Sequence, residues 1–197
     1  MPKGYTSRAK IEDYMLITID ATFHARVDKW IEDMENYIDR MTGRNFVADA
    51  EESDREFDGT GTRKLVIDDA ILIGDVALDY ETPEELVDED DLVKYPANYA
   101  AKGVPISLLK MRSGIFPRGS QNIVVSGKWG FSEETPGDIE MTATVLVAGI
   151  INFAHQSDGE VQSETIGRYS VTYKNDTQWA DFERVPEVLK SYRKFSM

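Results

Sequence analysis

Asp58-Gly59-Thr60-Gly61 is the segment that comes nearest to catalytic machinery, because a carboxylate can attack phosphorus and glycine amides can approach a phosphate closely. An aspartate nucleophile of that kind ends a buried apolar strand, and a second carboxylate follows two residues later. Here the preceding residues are Asp54, Arg55, Glu56 and Phe57, so neither the apolar strand nor the first aspartate is in place. Gly59 and Gly61 also lack the Gly-Lys-Ser/Thr and the following helix of a phosphate-binding loop. Asp-Gly is a common turn pair, and a hairpin turn is the expectation.

Metal chemistry would have to use His24 or His155, the only histidines in the chain. Neither has a second histidine or a carboxylate at ligand spacing on an evident common face, so both are expected to be structural. Asp88-Glu89-Asp90-Asp91 could attract calcium, but it has no glycine for the sharp turn and no terminal glutamate at loop spacing. Cysteine is absent, which removes thiolate catalysis, disulfides and Cys-based zinc sites. No catalytic, metal or cofactor-binding residue is nominated.

Composition narrows the classes further. The chain has 197 residues, 41% of them hydrophobic, which fits one domain, or one core with a substantial insertion, and is long enough to bury a self-sufficient core. Its 36 acidic residues against 22 basic ones give a net charge of −14, a surface that repels polyanions. No window is read as approaching the ~20 apolar residues that cross a bilayer, and Met1-Pro2-Lys3-Gly4-Tyr5 does not begin a secretory signal. A soluble protein made and used in cytoplasm is expected.

The elements follow from periodicity. Thr6 and Ser7 can cap a short helix bearing Ile11, Tyr14 and Met15. From Ala21 to Thr42, Phe23, Val27, Trp30, Ile31, Met34, Tyr37, Ile38 and Met41 form one apolar stripe, with Asp28, Glu32, Asp33, Glu35 and Asp39 opposite and Gly43 as the stop. Arg55–Phe57 and Arg63–Ile67 read as a hairpin across the glycines, followed by strands at 71–80, 105–111 and 122–129. The segment 81–91 reads as a solvated acidic excursion. Thr135 is the expected cap, with Pro136 first, of a helix over 139–155 that is apolar on nearly every face and must be covered on several sides. A lone strand is expected from Ile166 to Tyr173, and Pro186 is expected to open a last helix that mixes Leu189, Tyr192 and Phe195 with Lys190, Arg193 and Lys194.

Three stretches together resemble the head-tail connector (adaptor, or neck) proteins of tailed double-stranded-DNA bacteriophages. They are Met41-Thr42-Gly43-Arg44-Asn45-Phe46 with the Phe57-Asp58-Gly59-Thr60-Gly61-Thr62-Arg63 turn, Val124-Val125-Ser126-Gly127-Lys128-Trp129-Gly130-Phe131 leading through Pro136-Gly137-Asp138-Ile139 into a helix, and Ser163-Glu164-Thr165-Ile166-Gly167-Arg168-Tyr169-Ser170-Val171-Thr172-Tyr173 before Leu189-x-x-Tyr192-Arg193. The segment 82–120 is longer than in compact members. The resemblance implies a catalytically silent helical bundle with an inserted β element. It also implies a ring, commonly twelvefold, that docks to the portal by its C-terminal segment, receives a stopper or tail-completion protein on its other side, and lets DNA pass through its lumen.

The resulting expectation is a mainly α fold, a helical bundle with a small inserted antiparallel β-sheet (α+β). A single domain over 1–197 would comprise a helical core at 6–46 and 135–197 and a β-rich insertion at 54–131. The expected function is that of a non-enzymatic head-tail connector subunit, found in the virion neck and, before assembly, in host cytoplasm. Leu189, Lys190, Tyr192, Arg193, Lys194 and Phe195 are the expected portal contacts, and Met141, Val145, Ile150, Tyr169 and Val171 the expected subunit interface. A tail-completion or terminator protein of the same virion is the alternative, with an acidic hydrolase more distant. A concave pocket with perturbed carboxylates would mark the hydrolase.

Overall fold

The computed structural model describes residues 3–78, 85–157, 165–166, 169–170 and 176–194, except for the side chains at 85, 155–157, 165–166, 169–170 and 176–182. The chain divides into two compact units, one made of 1–43 and 135–197 and the other of 44–134.

The first unit is helical. Helix α1 (Arg8–Met15) starts at Ser7, whose hydroxyl accepts the Lys10 N–H, and stops at Leu16 in a left-handed conformation. A 3-10 turn over Ala21–Phe23, capped by Asp20, leads into α2 (His24–Thr42), which ends at Gly43 with φ 68°. Val27 and Ile31 of α2 are buried together with Ile11 of α1, Ile19, and Val147 and Ile151 of α4 (Gly137–Ser157), while Trp30 and Met34 pack at the margin. Phe23 and Met41, at the two ends of the stripe, are exposed.

Helix α4 contacts α1, α2 and α5 (Asp176–Tyr192), which explains its apolar residues on several faces. Its stretch Gly137–Ala154 is, contrary to the sequence expectation, long and apolar enough by length and composition to match a membrane span, although 44% of it is buried within the protein. Thr135 does not cap α4 as expected. Its hydroxyl donates to the Gly4 carbonyl, and the first helical turn closes instead from Glu140 N–H to the Pro136 carbonyl.

Two further sequence readings are corrected in this unit. Helix α5 starts ten residues before Pro186 and runs through it; the proline lacks an N–H donor, and the buried Val185 and Leu189 hold the helix on either side of the gap. In place of a lone strand, β7 (Thr165–Ile166) pairs antiparallel with β8 (Tyr169–Ser170). The remainder of the expected strand, Val171 included, lies outside the described residues.

The second unit is a sheet. Its strands are β1 (Ser53–Gly59), β2 (Lys64–Leu78), β3 (Glu85–Leu86), β4 (Leu92–Tyr95), β5 (Ile106–Met111) and β6 (Gly119–Trp129), with a short helix α3 (Tyr99–Lys102) between β4 and β5. The order is β1-β6-β2-β5-β4, all antiparallel, and β3 is added to the end of β2. The expected hairpin between 55–57 and 63–67 therefore does not form, because β6 lies between β1 and β2. The expected strands at 63–67 and 71–80 are one 15-residue strand that changes partner near Ala70, pairing first with β5 and then with β6. Asp68-Asp69 breaks the apolar pattern in the sequence, but Asp69 is buried and its Oδ2 accepts from Arg44 Nη1 at 2.6 Å, so the strand continues through it.

Leu65, Ile67, Ile73, Leu109, Phe116, Ile123 and Trp129 lie in one apolar cluster inside this unit. Trp129 is buried, its Nε1–H donates to the Ser53 carbonyl at 2.7 Å, and its ring faces Phe57 and the Arg55 guanidinium. The acidic segment is tied in more than its composition predicts: Leu86 pairs with Ala77, Val87 N–H donates to the Val76 carbonyl, and Asp88 caps a 3-10 turn at Glu89–Asp91. With a five-strand antiparallel path and a core of its own, the sheet is no small insertion. The fold is α+β in two units, which overturns the expectation of a mainly α bundle.

Candidate interaction surfaces

The glycine-rich turn explains itself sterically. A Cβ on Gly59 would lie 1.7 Å from the Pro117 carbonyl oxygen, so the backbone of 117–122 approaches too closely for any side chain. The Gly59 N–H donates to Asn122 Oδ1, and Asp58 Oδ1 accepts the Gln121 N–H. Both groups that could have handled a phosphate are occupied in joining β1 to β6. His24 Nε2–H donates to the Ile19 carbonyl at 3.1 Å and so fixes the turn before α2. The His155 side chain lies outside the described residues. Among the described residues, no group of three or more His, Asp or Glu could hold a metal ion.

Two clefts lie among the described residues. In the helical unit a cleft of about 570 Å³ is bordered by Ser7, Glu12, Ile19, His24 and the Arg8–Asp28 ion pair, whose atoms are 2.9 Å apart. In the sheet unit a cleft of about 840 Å³ is bordered by Glu51, Glu52, Leu72, Tyr99 and Lys128. Of the groups with a shifted pKa, Asp20 is held below the usual carboxylate range by hydrogen bonds from Thr22, which serves the cap before α2 and lies outside both clefts.

The C-terminal residues divide by exposure. Leu189 is 5% exposed, its side chain used in packing α5 within its own unit. Tyr192 is half-buried, its hydroxyl donates to Asp138 Oδ1 at 2.9 Å, and burial followed by that bond pushes its phenol up to about 12. Lys194 donates its backbone N–H to the Thr42 carbonyl, which pins the end of the described chain beside the end of α2. Lys190 and Arg193 are exposed, and Phe195 lies outside the described residues.

On α4, Val145 is buried within the helical unit, Ile150 is half-buried and Met141 is 40% exposed. Of these three, Met141 is the most exposed. The side chain of Tyr169 lies outside the described residues. Sequence reasoning missed Glu35, which it placed on the polar face of α2. Glu35 is 1% exposed and accepts the backbone N–H groups of Lys3, Gly4 and Tyr5. Its position four residues after Ile31 and three before Ile38, on the buried side of the stripe, was the available signal.

No protein-family model and no curated protein matches the chain. Solved structures do. A chain in the neck of the empty gene transfer agent (GTA) particle, computed with C6 symmetry, superposes with a TM-score of 0.59 at 10% identity, covering 100% of this chain and 93% of that one. This chain shares its fold with that chain of the neck assembly. Chains from the virion of the native GTA particle and from the native neck computed with C12 symmetry each match with a TM-score of 0.57 and 10% identity, again over 100% of this chain and over 93% and 92% of theirs. The likeness thus covers the residues of both the helical and the sheet unit and rests on backbone shape, with little identity of side chains.

Proposed function

We propose that this chain is a structural subunit of a phage-type particle neck. In this reading it forms a ring, twelvefold in the simplest case, with portal protein on one side and a stopper or tail-completion protein on the other, and genome DNA passes through the lumen. The observation that carries the proposal is the match over the whole chain to chains of symmetric neck assemblies. The net charge of −14 supports the conduit role, since an acidic wall does not retain phosphates. Exposed Lys190 and Arg193, beside Tyr192, remain the candidates for portal contact, and Met141 for contact between subunits. The ring would take its place in the virion after synthesis in host cytoplasm.

Cryo-electron microscopy of particles carrying a tagged copy, with chemical cross-linking, tests this. Density for the tag at the neck and cross-links to portal are expected. Absence from the particle would overturn the neck reading, and cross-links to the tail tube alone would replace the adaptor with a terminator.

A further inference from the structure

The outer face of the β2-β5-β4 side of the sheet is unusual for a solvent-facing surface. Register puts Lys64 opposite Lys110 and Lys110 opposite Val93 in one row. The next outward row is Val66, Leu108 and Tyr95. The residues between them, Leu65 and Leu109, point into the core, so strand alternation places both rows on the outside. Val66 is 48% exposed, and Val93, Tyr95 and Leu108 are only half covered. Two lysines directly opposite one another repel. Neither makes an ion pair or side-chain hydrogen bond among the described residues.

The surrounding cations reinforce the patch. Arg63 and Arg112 spend their Nε–H groups on the carbonyls of Met111 and Asp90 and meet no carboxylate within ion-pair distance among the described residues. Apolar rows bordered by positive charge have the anatomy of an interface core with a basic rim. In a chain of net charge −14, such a patch selects an acidic protein surface.

The same unit presents that surface elsewhere. On edge strand β1, Asp54, Glu56 and Asp58 alternate outward while Arg55 and Phe57 turn toward Trp129. Asp54 and Glu56 have no ion-pair partner among the described residues either. β1 is also an outer strand of the sheet, with only β6 beside it among the described residues. We infer that the Lys64–Lys110 face of one copy docks on the Asp54–Glu56 edge of a second copy of this chain. The two patches are different surfaces, so the contact is head-to-tail and can be repeated around a ring. The inference rests on the neck reading for the closure of that ring. The pairwise contact stands without it.

Charge reversal tests the contact in the full chain. Sedimentation velocity at low salt should show wild-type self-association that K64E/K110E and D54K/E56K each weaken at least ~10-fold, with circular dichroism unchanged. An equimolar mixture of the two variants should associate again, because each reversed patch then meets its complement. Wild-type protein that stays monomeric, variants that associate like wild type, or a mixture that fails to recover would overturn the inference. So would duplex DNA binding that K64E/K110E abolishes while self-association is unchanged. If charge reversal leaves association intact in a protein that is present at particle necks, this contact falls and the neck reading survives. If the variants behave as expected but the protein is absent from particles, the reverse holds.

Discussion

The carboxylate of Glu35, in the middle of α2, accepts the Tyr5 backbone N–H at 2.8 Å, and with it the N–H groups of Gly4 and Lys3. Tyr5 is itself fully buried, and its hydroxyl donates to Asp39 one helical turn further on. One acidic side chain thus satisfies three successive amides, at 3–5, that lie in no helix or strand.

Glu35→Ala is expected to destabilise the protein by about 2–4 kcal/mol, since buried N–H donors lose their acceptor and a cavity is left. Glu35→Gln should cost less, because its amide oxygen still accepts. Urea unfolding followed by circular dichroism checks both, and an alanine variant within 0.5 kcal/mol of wild type (about the spread of neutral surface changes) would refute the clamp.

Tyr192 gives a pH signature. Burial, and then the bond to Asp138, pushes its phenol up from the ordinary 10.0 to about 12 in the folded protein. The folded state holds the proton more tightly, so this contribution to stability is complete below pH 10 and is lost as pH rises through about 12. Absorbance titration at alkaline pH should show one late tyrosine that disappears in Tyr192→Phe, and the alkaline loss of stability should be shallower in that variant.

Gly59→Ala places a methyl group where the Pro117 carbonyl already lies and should cost about 1–3 kcal/mol or more by overpacking the β1–β6 junction. Gly74→Ala is the control. Its Cβ would meet its nearest neighbours at 3.7 Å, an ordinary contact, and thermal unfolding should hardly change.

Leu189→Ala should lower stability by about 2–4 kcal/mol, as for any buried leucine, whereas Lys190→Ala and Arg193→Ala should leave it within about 0.5 kcal/mol. A chain ending after Val185 should therefore lose helical stability, which denaturant titration would detect. Portal affinity lost in the two surface variants without loss of fold is the expected mark of docking.

Val145→Asp buries an unpaired charge and is expected to abolish folding, while Met141→Asp, on an exposed side chain, should fold normally. Assembly of the Met141 variant, followed by native mass measurement, then isolates the contribution of α4 to contact between subunits.

Helices were the more legible half of the sequence. The stripe on α2 and the all-round apolarity of α4 each name a partner surface, because the helical period repeats within one segment. Strand pairing is not local, so nothing near 55–67 told that β6, sixty residues later, would separate β1 from β2. Asp68-Asp69 looked like a break because the compensating Arg44 is distant in sequence. The same limit hid Glu35: its ligands are backbone amides at the chain terminus, and amides carry no residue-type signal. The basic terminal helix was legible as charge, but the burial of Leu189 depends on α4 and α2, which only the tertiary structure brings to it.

The two ends of the sheet unit are zipped together by its own backbone: Phe131 N–H reaches the Asn45 carbonyl, Ala48 N–H reaches Ser132, and Val47 and Ser132 form a parallel bridge. Phe46 and Phe131 add a ring contact at 5.5 Å across the same seam. A module whose entry and exit are already fastened needs no outside residue to close its loop entropy. Residues 44–134 are in that sense a cassette, open to being lengthened, shortened or exchanged between two fixed points while the chain on either side keeps its own register.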